Sequence, residues 1–170
     1  VALGLLPHVD GLAVHPYNYT TRDGDRPEDW WTGLALLRGQ LRDERPPGEP
    51  RVAPPLYVTE TGWPDHVGRH GRSAGQQAAY AARVFLLAAT LPELRGLWWY
   101  TWEDAGRDPF DPEGHFGLID RDGQPKPAWH ALAVLLPLLR HAQGGAPIVL
   151  GEPWVARQYF LDDDRTLLAV

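Results

Sequence analysis

The chain has 170 residues, 44% of them hydrophobic, with 16 basic against 22 acidic side chains and a net charge of −6. That composition suits a globular fold with a buried core and argues against a nucleic-acid partner, because no basic run occurs and Lys126 is the one lysine. Cysteine is absent, which excludes disulfides and thiolate metal sites, and no apolar stretch is long enough to cross a bilayer.

Three strand-then-helix units follow one another. Gly11-Leu12-Ala13-Val14 reads as a short apolar strand that ends at His15-Pro16-Tyr17. After a polar loop, Trp30, Leu34, Leu37 and Leu41 recur at helical spacing. The proline-rich stretch from Arg45 to Pro55 stops that helix and serves as a linker. The second strand is Leu56-Tyr57-Val58-Thr59, and Glu60 caps it before a turn at Thr61-Gly62-Trp63-Pro64. A carboxylate at the end of a β-branched run is unusual, since solvated glutamates favour helix faces. Taken alone it reads equally well as a salt-bridged strand end or as a functional group.

Ser73 and Gln76 have capping-box spacing at the start of a second helix, which continues through Ala78, Ala82, Phe85 and Ala89 and stops before Pro92. The third strand is Leu97 to Trp102. A long loop with turn signals at Asp108-Pro109 and Asp111-Pro112 leads to a last helix starting near Pro127. That helix places Trp129, Leu132, Ala133 and Leu136 on one face, and Pro137 kinks or ends it. Beyond Gly144 the pattern changes to β segments at Ile148–Leu150, Trp154–Leu161 and Thr166–Val170, with Asp162-Asp163-Asp164-Arg165 as a turn.

Alternating βα units with near-continuous apolar strands imply a parallel sheet covered by helices. In such folds ligands bind at the carboxyl ends of strands, where His15, Glu60 and Trp102 all lie. The eight tryptophans and six tyrosines, several beside turns, suit flat ligands such as sugar rings. A nucleophilic carboxylate needs hydrogen-bond donors to its ionised form, and His15 and Tyr17 at the end of the preceding strand are candidates to supply them. Core packing is the alternative use of either residue.

On these three segments the sequence resembles the C-terminal part of a clan A glycoside hydrolase, the (β/α)8-barrel group that includes family 5 and family 39 enzymes of cellulase or β-xylosidase type. Asp10 to Tyr17 is similar to the sixth barrel strand with its histidine-x-tyrosine pair. Leu56 to Pro64 is similar to the seventh, whose terminal glutamate is the nucleophile. Leu97 to Asp104 is similar to the eighth, which ends in an aromatic platform. His115-Phe116-Gly117-Leu118 and Lys126-Pro127-Ala128-Trp129 resemble the lead into the last helix. The resemblance implies an α/β fold: a partial TIM (β/α)8 barrel, its last three βα units occupying residues 1–143, followed by the start of an antiparallel β domain at 144–170.

It also implies a retaining hydrolase of a β-linked glycan, with Glu60 as nucleophile and His15, Tyr17, Trp63, Tyr100, Trp102 and Asp104 binding an oligosaccharide or glycoside substrate. No cofactor or metal is implied. Two departures stand out. The platform position, tryptophan in many clan members, aligns with Tyr100, and Trp98 or Trp102 on the same strand face are alternatives. The clan's acid/base glutamate follows an asparagine, and no Asn-Glu pair occurs here. The proton donor is therefore expected upstream of Val1. With no methionine, an opening at Val1-Ala2-Leu3-Gly4 and an apolar end at Thr166–Val170, both ends read as cut from a longer protein.

Glu103, Asp104, Asp108 and Glu113 also fall on the catalytic side, where turn formation competes with sugar binding as the role of Asp108 and Glu113. A carbohydrate-binding pseudoenzyme on the same barrel is the alternative function. A metal-dependent hydrolase using His15, Glu60 and Asp104 is a third reading, weakened by the lack of paired histidines.

Overall fold

The computed structural model describes residues 4, 6–44, 53–149, 155–161 and 165–169. Residues 45–52 of the linker, Leu150, Trp154, the acidic turn at 162–164 and both extreme ends lie outside the described residues.

Strands β1 (Leu12–Val14), β2 (Leu56–Thr61) and β3 (Leu94–Trp99) form one parallel sheet in the order β1-β2-β3. Helix α1 (Pro27–Asp43) joins the first two strands and α2 (Ala74–Ala88) the second two. α3 (Pro127–Leu139) follows β3 and packs on α2 through Ala81, Ala128 and Leu132. Three further strands, β4 (Gln143–Val149), β5 (Val155–Phe160) and β6 (Thr166–Ala169), make a separate antiparallel sheet.

The apolar spacing of α1 has its structural meaning: Trp30 and Leu34 meet Val58, Trp63, Val84 and Ala88 in the main core, and Leu41 seals a second cluster with Leu6 and Leu56. Burial of each such side chain contributes about 1.5–3 kcal/mol. Ser73 caps α2 as its spacing predicts, accepting from the Gln76 amide at 3.2 Å while the Gln76 side chain accepts from the Ser73 amide at 2.9 Å. The buried face of α2 is Gln77, Ala81, Val84 and Ala88, one residue earlier than the sequence pattern suggests. An alanine-rich helix offers little contrast between adjacent stripes, so its phase is hard to read.

In α3, Leu132 is buried but Ala133 and Leu136 are exposed, because α2 covers the side carrying Ala128 instead. Pro137 sits inside the helix, which runs two residues past it. β3 runs from Leu94 to Trp99 rather than from Leu97 to Trp102: Arg95 and Gly96 mask its start, and Trp102 lies three residues beyond its end. Gly96 leaves room for the Trp98 ring, which a Cβ at residue 96 would displace.

α1 and α2 cover one face of the parallel sheet. The opposite face presents Ala13, Tyr57, Thr59 and Trp98, all exposed. The antiparallel sheet is anchored on the helices by Tyr159, 1% exposed, whose hydroxyl donates to the Leu86 carbonyl at 2.8 Å, and by Arg157 over the Trp31 ring at 5.2 Å.

Substituting Ser73→Ala removes one cap bond and is expected to lower unfolding stability by about 1 kcal/mol. A shift in urea midpoint at unchanged slope checks this; an unchanged midpoint contradicts the capping role.

Candidate active site

Leu56 and Val58 of β2 point into the core, and strict alternation would send Glu60 after them. It does not go there. Pairing with β3 is irregular between Val58 and Thr61, and within that stretch Glu60 emerges with its side chain 39% exposed. Gly62 then lets the backbone of Tyr100 come close, since a Cβ at residue 62 would lie 2.4 Å from the Tyr100 carbonyl oxygen. The Tyr100 amide donates to Thr61 O at 2.8 Å, and the Tyr100–Thr101 peptide is cis.

At the end of β1 the Tyr17 amide donates to His15 O at 2.9 Å, a three-residue turn around Pro16. The turn brings the Tyr17 hydroxyl to Glu60, where it donates to Oε2 at 3.1 Å. His15 Nδ1 lies 3.5 Å from the same oxygen, and its Nε2 is 2.9 Å from Thr59 Oγ1. Burial raises the Tyr17 pKa far above the ordinary phenol value, reinforced by the Glu60 hydrogen bond and by the negative charges of Glu60 and Glu113. The phenol therefore keeps its proton and serves as a hydrogen-bond donor to the carboxylate. Tyr19 is also shifted upward, by burial first and then by Glu113.

Phe116, 1% exposed, is the hub of the aromatic wall. Tyr17, Tyr19 and Tyr100 meet it edge-on with centroids at 6.1, 5.3 and 5.5 Å. These four rings, with Thr20, Glu60 and Glu113, line a cleft of about 370 Å³. A larger groove of about 960 Å³ lies between α1, α2 and the antiparallel sheet. Two of its carboxylates are held in ion pairs, Asp25 with Arg72 and Glu28 with Arg83, and the aromatic cluster is elsewhere. Chemistry points to the smaller cleft.

Of the residues expected to serve a site, His15, Tyr17, Glu60 and Tyr100 come together. Trp63 does not. It is fully buried in the core, its indole donating to Asp25 O at 2.6 Å, because the turn after β2 carries it to the helix side of the sheet. Asp104 is also turned away: it is 5% exposed and accepts from Lys126 Nζ at 3.0 Å and from the Gly117 amide at 2.7 Å. Trp102 is 61% exposed and lies outside the cleft lining. Tyr19, Phe116 and Thr20 complete the cleft without having been singled out. Tyr19 follows Tyr17 at an i+2 spacing, which is the one available signal, whereas Phe116 arrives through a tertiary contact.

Lys126 is the buried cation of this region. Its ammonium bonds Asp65 Oδ1 at 2.8 Å, Asp104 Oδ1 at 3.0 Å and the His115 carbonyl at 3.4 Å. Asp65, Asp104 and His115 bring ligand-type atoms within 4.8 Å of one another, but Lys126 already balances the two carboxylates. Among the described residues, His15, Glu60 and Asp104 do not form such a cluster.

No family model matches the chain, and no curated protein matches it in sequence. Solved structures do match its fold. A family 39 glycoside hydrolase from the gut symbiont Bacteroides cellulosilyticus WH2 aligns with TM-score 0.67 at 25% identity, over 92% of this chain and 32% of that one. GH5_18 from Streptomyces cattleya in complex with GlcNAc aligns at 0.58 and 22%, over 77% of this chain and 31% of that one. Bifidobacterium dentium β-glucuronidase complexed with coumarin-3-O-glucuronide aligns at 0.53 and 24%, over 73% and 20%. The fold is glycoside-hydrolase-like. The chain spans 32% or less of the length of these three proteins.

Lys126→Met should cost about 3–5 kcal/mol, because it strands two buried carboxylates. The double variant Lys126→Met with Asp104→Asn should recover part of that loss in thermal unfolding. Equal stability of Lys126→Met and the parent chain contradicts a buried ionic latch.

Proposed function

We propose that this chain is the C-terminal portion of a retaining, clan A (β/α)8-barrel glycoside hydrolase that cleaves a β-linked glycan, with Glu60 as nucleophile. The observation that carries the reading is the Tyr17–Glu60 hydrogen bond at a strand end, inside a cleft walled by aromatic rings. Two facts support it further. All-parallel sheets are normally covered on both faces, and here the face carrying Tyr57 and Trp98 is exposed, as expected for the interior of a barrel. The chain is also about a third as long as the family 39 enzyme that it overlies. Residues 1–143 belong to the catalytic unit in this reading, and 144–170 begin an accessory β unit.

The chemistry follows from the contacts on the carboxylate. Tyr17 and His15 both approach Oε2, which leaves Oε1 to attack. In the first displacement Oε1 bonds to the anomeric carbon as the glycosidic C–O bond breaks, and an acid carboxyl supplied by the rest of the barrel protonates the departing oxygen. The resulting glycosyl ester is then attacked by water, which the same residue deprotonates, and Glu60 leaves as carboxylate. Tyr17 stays protonated throughout and holds the nucleophile in place.

Glu60→Ala in the full-length protein should lower turnover by at least about 10³-fold. Added azide should restore cleavage and give a glycosyl azide of inverted configuration. Wild-type-like turnover of Glu60→Ala, or an inverted product from the parent enzyme, rejects the mechanism; glycan binding without any cleavage supports a binding protein instead. Tyr17→Phe should lose a charge-assisted bond worth about 1.5–3 kcal/mol, roughly 10- to 150-fold in rate. The isolated chain should turn over no aryl glycoside, since proton donation alone contributes about 10²–10⁴-fold.

A further inference from the structure

Glu113 lines the candidate cleft together with Glu60, and neither a lysine nor an arginine lines it among the described residues. Its carboxylate has no hydrogen-bond or ion-pair partner among them. The residue is exposed, and its backbone is held. It sits in the short 3-10 helix Pro112–Gly114, where Asp111 Oδ1 accepts from the Glu113 amide at 3.1 Å. Gly114 packs so closely on Gly106 that a Cβ there would lie 3.2 Å from the Gly106 Cα. The charge of Glu113 reaches both Tyr17 and Tyr19 across the cleft. Of the rings on this side able to carry positive charge, His15 lies against Glu60 and His115 against Asp65.

We infer that Glu113 is a specificity-determining residue that makes this cleft select uncharged glycosyl groups and reject uronates and other anionic sugars. The inference rests on the glycosidase reading of the same site and adds its substrate class. Two carboxylates in one small cleft impose a repulsive field on a third, and each should weaken binding of an anionic sugar by roughly tenfold at the intermediate dielectric of a half-open site. A neutral hydroxymethyl group in the same position instead finds phenol and carboxylate oxygens able to accept its proton. This is discrimination by an introduced repulsion rather than by shape.

The test uses the full-length protein and matched aryl β-glycosides that differ only at C6, glucoside against glucuronide and galactoside against galacturonide. The quantity read is the ratio of kcat/KM within each pair. The neutral member should be favoured at least about tenfold, and Glu113→Gln should narrow that ratio by about tenfold, whatever it does to either absolute rate. Added salt should narrow the wild-type ratio in the same direction. A uronide cleaved as fast as its neutral partner, or a ratio unmoved by Glu113→Gln, overturns the inference. If neither class is cleaved, the glycosidase reading fails separately. Calorimetric binding of the same pairs then still decides the charge selection: tighter binding of the neutral sugar supports it, and tighter or equal binding of the uronide overturns it.

Discussion

The ends of β2 and β3 are held by one buried ammonium. Lys126 reaches from the start of α3 to Asp65 after β2, Asp104 after β3 and the carbonyl of His115 in the long loop. Without that cation the two acids, 12% and 7% exposed, would repel each other inside the fold. With it, the loop is drawn across the strand ends. His115 is followed by Phe116, whose carbonyl accepts from the Trp99 indole at 2.9 Å and whose ring supports Tyr17, Tyr19 and Tyr100. Gln77 adds a second tie from α2, donating to the carbonyls of Trp63 and His115. The aromatic wall of the cleft therefore depends on polar contacts made beneath it.

That arrangement explains which parts of the molecule the sequence makes legible. The three βα units, the cap at Ser73 and the β-rich end are visible because each is set by local patterning. Glu60 stands out for the same reason, as a carboxylate ending an apolar strand. Its direction is another matter. Alternation along β2 would bury it with Val58, and only the irregular pairing with β3 turns it outward. Trp63 and Asp104 carry the opposite lesson. Both sit next to strand ends in a pattern that suits sugar binding, yet the turns after β2 and β3 rotate them inward, one to the core and one to Lys126. Phe116 falls in a segment that the resemblance marks, but its place in the cleft is not legible, because a residue more than fifty positions after Glu60 joins it only through the loop that Lys126 secures.

In the proposed enzyme the chemistry turns on asymmetry around one carboxylate. Tyr17 donates to one oxygen of Glu60 and His15 lies 3.5 Å from that same oxygen, while the other has no partner among the described residues; burial and nearby negative charge keep the phenol protonated. The opposite face of the sheet stays exposed, with Tyr57 37% and Trp98 52% accessible. A site assembled at the edge of such a face is suited to be completed by further strands, which in the proposed enzyme bring the proton donor.

The most direct measurement is covalent labelling of the full-length protein with an activated 2-fluoroglycoside, followed by intact mass and peptide mapping. A nucleophilic Glu60 predicts one glycosyl adduct, carried by the peptide containing Tyr57 to Gly62 and absent in Glu60→Gln. An adduct mapped to any other carboxylate would contradict it.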